Sequence, residues 1–207
     1  MNELKVWHII GLRRDYKLFG KTCAFKVKKS TFHQAVENKA CLCMQGFTQT
    51  QGVDFENTYT PMGQLNFLRA LITQPCADGL DFHQIDVKST FLNAPLTETV
   101  YLSIPQGLEI DCLKYCLRLK KAIYDLKQAP LPCYNCLKDW LQSVGFNVCK
   151  LHPYVFHQKE PNSLWIYVHV DDMGIFAKNI QPFKEQIDKE LNIKEIGPAD
   201  PLLGVKI

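Results

Sequence analysis

Apolar residues along this chain fall into short runs of period two separated by stretches of period three to four, and the alternation lays out the elements. Residues 21–29 (Lys-Thr-Cys-Ala-Phe-Lys-Val-Lys-Lys) alternate apolar and basic positions, as an edge strand does. Residues 39–47 read as a second strand able to form a hairpin with the first. Leu65, Leu68, Leu71 and Ile72 carry helical spacing, but Pro75 follows. An interior proline costs roughly 3 kcal/mol, which predicts a kink or an end there. Phe82 to Val87 reads as a buried strand ending at Asp86. Tyr134, Leu137, Leu141 and Val144 mark another helix, with Gly145 as its C-terminal cap. Residues 164–170 and 173–177 form a hairpin around Asp171-Asp172. Pro182 opens a further helix at its favoured first position, with Phe183, Ile187 and Leu191 on one face and Glu185 and Lys189 paired on another. Gly197-Pro198 ends that helix, and Leu202 to Ile207 forms a last short strand. The order predicts an α+β fold, an antiparallel sheet backed by helices.

Composition narrows the class. The 207 residues suffice for one large domain or two small lobes sharing a cleft, and 46% hydrophobic content can fill a real core. The net charge of +3, from 24 basic and 21 acidic residues, permits a nucleic-acid partner without demanding one. No apolar run approaches the ~20 residues that span a bilayer. The N-terminus lacks the pattern of a signal peptide. Nine cysteines, an odd number scattered through predicted helices and strands, fit reduced thiols. The expectation is an intracellular protein, cytoplasmic or nuclear, that is neither secreted nor membrane-bound.

Chemistry concentrates in Ile166-Tyr167-Val168-His169-Val170-Asp171-Asp172-Met173-Gly174-Ile175. Two adjacent carboxylates inside an apolar hairpin repel each other and resist burial, and a divalent cation would neutralise them. A second carboxylate, Asp86, ends an upstream strand. Together they suggest a two-metal phosphoryl-transfer site. Taken alone, an Asp-Asp pair is more simply an ordinary hairpin turn. A zinc module on Cys133, Cys136, Cys149 and His152 is the rival from another class, since two ligand-like pairs lie twelve residues apart.

Many short words in register carry a family resemblance. They include Lys39-Ala40, Gly46-Phe47-Thr48-Gln49, Gly52-Val53-Asp54-Phe55, Gln84-Ile85-Asp86-Val87-Lys88 and Phe91-Leu92-Asn93. They continue with Leu126-Lys127-Gln128-Ala129-Pro130, Gly145-Phe146, Val170-Asp171-Asp172 and Leu203-Gly204-Val205-Lys206-Ile207. Over nearly its whole length the chain resembles the reverse transcriptase domain of copia-type LTR retrotransposons. The resemblance implies a fingers-and-palm polymerase core, with fingers roughly over 1–80 and part of 95–130, and palm roughly over 81–94 and 131–207. Thumb and RNase H regions fall outside the chain. Asp86, Asp171 and Asp172 would be the catalytic carboxylates. Asp86 and Asp171, helped by the backbone carbonyl of Val87, would hold two Mg²⁺ ions. Phe91 would exclude a ribose 2′-hydroxyl, and Gln128 and Lys39 would contact the incoming nucleotide, with Lys26 and Lys28 also in the fingers. The implied partners are dNTPs and an RNA or DNA template-primer, recognised by shape and backbone.

Several positions depart from the family pattern. Cys41 replaces an arginine, Gln45 a lysine, Ala94 and Asp125 each a glycine, Leu131 an arginine and Cys133 a tryptophan. His169 replaces the aromatic of the Tyr-Val-Asp-Asp word, and His152 an aspartate before proline. Pro75 interrupts a helix rich in alanine and leucine in the family. These changes read as a decayed copy. Two functions therefore stand side by side: an RNA-directed DNA polymerase domain, and a non-catalytic remnant acting at most as a nucleic-acid or protein binding module.

Overall fold

The computed structural model describes residues 5–29, 35–61, 63, 65–87, 92, 94–159, 163–191 and 193–197. Helices and antiparallel sheets are mixed, as the sequence pattern predicts. The chain divides into two compact units, Met1–Tyr59 with Phe91–Cys133, and Thr60–Thr90 with Tyr134–Ile207.

The first unit contains β1 (Trp7–Gly11), β2 (Leu18–Phe19), β3 (Lys21–Lys29), β4 (Ala35–Met44), β6 (Tyr101–Leu102) and β7 (Tyr115–Leu119). Strands β3 and β4 form a two-stranded antiparallel hairpin, and the other four make a sheet of order β1-β7-β6-β2. The second strand of the hairpin starts earlier and ends earlier than its apolar pattern predicts. Gly46–Thr48 instead forms a 3-10 turn. Gly46 packs so tightly that a Cβ there would lie 1.8 Å from the carbonyl oxygen of Asp125. Only glycine fits at that approach.

The second unit contains β5 (Asp81–Val87), β8 (Asn147–Val148), β9 (Val155–Gln158), β10 (Leu164–His169), β11 (Asp172–Ala177) and β12 (Ile193–Gly197) in one sheet of order β12-β5-β11-β10-β9-β8. Helix α1 (Leu65–Ala77) and helix α3 (Gln181–Glu190) belong to it, as does most of α2 (Pro130–Ser143). Side chains alternate across the sheet as period two requires. Ile166, Val168, Met173, Ile175 and Ile85 join Leu141 of α2 and Ile187 of α3 in one cluster. Tyr167 and Phe176 face the other way and join Leu68 and Leu71 of α1. One sheet thus carries helices on both faces.

Local signals explain the helix ends. Gly145 adopts φ 95, with its N–H on Gln142 O and the next N–H, of Phe146, on Leu141 O at 2.9 Å. This paired closure is the cap that Gly145 predicts. Pro75 does not stop α1, which runs two residues further. Its ring gives up the bond to the Leu71 carbonyl, and α1 ends within the same turn. Pro182 sits at the second helical position of α3 rather than the first, since Ile180 is the N-cap.

The predicted end of α3 is corrected. The helix closes at Glu190, where the N–H of Leu191 reaches Ile187 O at 2.7 Å. Residues of the expected helical tail form β12 instead, pairing with the open edge of β5. The Asp188 carboxylate turns the chain by accepting from Ile193 N–H at 3.3 Å. The expected strand over Leu202 to Ile207 lies outside the described residues.

Candidate active site

Asp86, Asp171 and Asp172 lie at one end of the six-stranded sheet. Strand β11 pairs with β5 so that Asp172 lies opposite Asp86, and Met173 opposite Ile85. Met173 and Ile85 point into the core below α2 and α3, so Asp86 and Asp172 share the α1 face. Directly opposed residues have Cβ atoms roughly 4.5–5.5 Å apart, and like charges there repel. The Gln84 amide, on the same face, donates to Asp172 Oδ1 at 3.4 Å. On the other edge of β5, Lys194 is the register partner of Asp86.

Asp171 enters from the turn. His169 pairs with Asp172, leaving Val170 and Asp171 as a two-residue loop. The sequence pattern predicts the loop one position later, at Asp171-Asp172. Core alternation decides between the two. Val168 and Met173 both face the core and pair with each other, which fixes the register and makes Asp172 the first residue of β11. Val170 has φ 56, while Asp171 is not among the residues of positive φ. Such a turn is normally begun by glycine. A β-branched residue in the left-handed region costs of order 1–3 kcal/mol and persists where its surroundings over-determine it. The loop is tied to the end of β5, because Val87 N–H donates to the backbone carbonyl of Asp171 at 2.9 Å. That bond extends β5 one residue past Asp86.

Among the described residues no three His, Cys, Asp or Glu side chains stand close enough to hold a metal ion by themselves. That tells against the zinc module, and His152 is otherwise occupied. Its Nδ1 lies 3.1 Å from the Tyr154 hydroxyl, and its ring lies against Phe67. The aspartates suit a different ion. Mg²⁺ retains waters and takes one or two carboxylates with substrate phosphates, so an all-protein cage is not needed. Two carboxylates opposed across a strand pair, with a third in the adjoining turn, are the hard oxygen donors such an ion selects.

The remaining expected residues lie in the first unit. Phe91 is outside the described residues. Lys39 stands in β4 with Lys26 as its cross-strand partner. Gln128 is 2% exposed, and its Oε1 accepts from Gln49 Nε2 at 2.9 Å. The orientation of Gln49 follows from chemistry. The backbone N–H of Lys127 can only donate, and it meets Gln49 Oε1 at 3.0 Å. Lys127 Nζ also reaches the Gln49 carbonyl at 3.2 Å and lies over the Phe55 ring. The oxygen of the Gln128 amide is thus held by Gln49, while its Nε2 is buried with no partner among the described residues. Gln49 was visible in the sequence only as the last letter of Gly46-Phe47-Thr48-Gln49. Its burial at 4% could not be read from that word.

Asp125 sits at φ 65, which explains why the family pattern has glycine there. Aspartate tolerates this region better than most residues. Beside it, Cys43 lines an open groove of about 470 Å³ with Thr22, Ala24 and Lys127. Burial, then the Asp125 carboxylate, pushes the Cys43 thiol up to about 11, so it stays protonated and unreactive.

Comparison with known proteins shows the family. Residues 4–207 match the family described as Reverse transcriptase (RNA-dependent DNA polymerase). The chain is 32% identical over 88% of its length to the retrovirus-related Pol polyprotein from transposon TNT 1-94 of Nicotiana tabacum, covering 14% of that protein. It is 31% and 33% identical, over 81% of its length, to the Pol polyproteins from transposons RE2 and RE1 of Arabidopsis thaliana, covering 12% of each. No helix among the described residues is long and apolar enough to cross a membrane. The sequence words, the antiparallel sheet and these matches agree, and the chain belongs to the reverse transcriptase family, of the kind carried in the Pol polyproteins of copia-type retrotransposons.

Proposed function

We propose that this chain is an RNA-directed DNA polymerase domain that adds deoxynucleotides to a primer 3′-end inside the cell. The observation that carries the reading is the register of Asp172 against Asp86, with Asp171 tied to Val87 in the adjoining turn. The first unit serves as most of the fingers and the second as the palm, with residues 60–80 of the expected fingers falling in the second unit. Charge supports that division. The first unit holds 14 basic and nine acidic residues, whereas the second holds ten basic and 12 acidic. The basic unit suits nucleic-acid phosphates, and the acidic one suits cations.

In this reading Asp86, Asp171 and the Val87 carbonyl hold two Mg²⁺ ions, and Asp172 supports them. Bound there, the ions supply a Lewis acid for the primer hydroxyl and for the departing pyrophosphate. Gln84 orients Asp172 through its hydrogen bond. Phe91 excludes ribonucleotides, and Lys39 and Gln128 contact the incoming nucleotide. The template-primer, of RNA or DNA, is held through its backbone.

A second reading is a non-catalytic remnant that binds nucleic acid or protein. The burial of Gln128 and its bond to Gln49 favour it, because that amide is not offered to a nucleotide. Primer extension on an RNA template with dNTPs and Mg²⁺ separates the two. The polymerase reading expects extension that Asp171→Asn lowers by at least about a hundredfold, the scale of losing a metal-tuning group. Absence of extension from folded protein selects the remnant.

A further inference from the structure

We propose that His169 is a positioning residue for the aspartate hairpin, acting through the backbone of Gly63. The inference rests on the reading of Asp86 and Asp171 as the metal site, and it concerns what holds that site in shape.

His169 Nδ1 lies 2.9 Å from the carbonyl oxygen of Gly63. A carbonyl only accepts, so Nδ1 carries the hydrogen. Two residues earlier on the same face of β10, the fully buried Tyr167 ring presses on Gly63. A Cβ at Gly63 would lie 2.3 Å from Tyr167 Cζ. The segment entering α1 is therefore gripped twice by β10, by shape at Tyr167 and by a hydrogen bond at His169. His169 is also the register partner of Asp172 and the last strand residue before Val170.

The geometry of the turn makes this grip consequential. Val170 stands in a backbone region that its branched side chain disfavours, so both flanks must be restrained for it to stay there. On the far flank the restraint is the Val87 N–H bond to Asp171 O. On the near flank it is the His169 bond to Gly63 O. A histidine at this position is thus a working part of the hairpin in this chain, and its departure from the family tyrosine is not damage.

Two substitutions isolate the hydrogen bond. His169→Phe keeps a ring and removes the donor. His169→Asn places an amide N–H where Nδ1 was, on a short side chain. The first readout is amide hydrogen exchange at Val87, with Ile166 and Ile175 in mid-hairpin as internal controls. His169→Phe is expected to speed exchange at Val87 about tenfold without moving the controls, as a local opening does, and His169→Asn to keep the parental rate. The second readout is Mn²⁺ affinity by water-proton relaxation, expected to fall about tenfold in His169→Phe and to recover in His169→Asn, the scale of a lost supporting hydrogen bond.

Unchanged exchange at Val87 in His169→Phe overturns the proposal. So does a His169→Asn protein that exchanges as fast as His169→Phe, which also covers the case where the phenylalanine variant unfolds. Parental protein that binds Mn²⁺ no better than Asp171→Asn overturns the metal-site reading instead, and the exchange result still decides the role of His169.

Discussion

Tyr167 carries a hydroxyl that the described residues do not use. The residue is fully buried, its oxygen has no hydrogen-bond partner among the described residues, and burial followed by the nearby Tyr154 pushes the phenol up to about 12. Leaving a buried polar group unmet costs about 1–3 kcal/mol. Tyr167→Phe is therefore expected to raise stability by about 1 kcal/mol, read as a higher urea midpoint at unchanged slope. A lower midpoint would mean that the hydroxyl has a partner. Asp54 is the opposite case. Burial works against its charge, yet bonds from Lys17 and from the Thr50 N–H at 2.7 Å outweigh it, and its carboxyl is held below the usual range. A depressed folded-state value means stability that is present above the unfolded value and lost as pH falls through the folded one. Asp54→Asn should then cost about 1 kcal/mol between about pH 5 and 7, a modest amount because Lys17 is half exposed. Below about pH 3 the difference between the two proteins should close. A gap that persists in acid would assign the effect to packing.

Among the elements, the hairpin of β10 and β11 and the cap of α2 show which signals a sequence carries openly. The Asp171-Asp172 pair and the Gly145 stop both stand out in the sequence, and both lie where a pattern reading expects them to within one residue. The shift of the loop to Val170-Asp171 was not legible, because no residue there prefers a positive φ. Only the pairing of Val168 with Met173 settles it. Strand β12 was hidden for a related reason. Ile193 and its neighbours continue the charge-rich pattern of α3, and only the unpaired edge of β5 turns them into a strand. The α2 cap gives a test at this scale. Gly145 stands at φ 95, and a Cβ would lie 2.9 Å from Gln158 Nε2. Gln158 in turn donates to Val144 O at 3.2 Å, so it has little room to give. Gly145→Ala is expected to destabilise the protein by roughly 1–2 kcal/mol in thermal or urea unfolding, from the backbone region alone. A neutral result would show that the cap relaxes.

For the whole molecule, the family and the antiparallel sheet were legible in the sequence, since each is written in local words. What sequence could not supply is long-range. Gln49 meets Gln128 across 79 positions, and Gly63 meets His169 across 106. Neither pair has a periodicity or a spacing to announce it. The same separation shapes how the chain must come together. Strand β5 runs between β11 and β12, and both of those neighbours are made much later than β5 itself. On a ribosome, Asp81–Val87 emerges as a strand with two bare edges and stays so until Asp172–Ala177 has been synthesised. Bare edges of that kind invite pairing with other chains. The strand that bears Asp86 is therefore exposed to wrong pairing during synthesis, and any message ending before Asp172 would release it without the neighbour it pairs with.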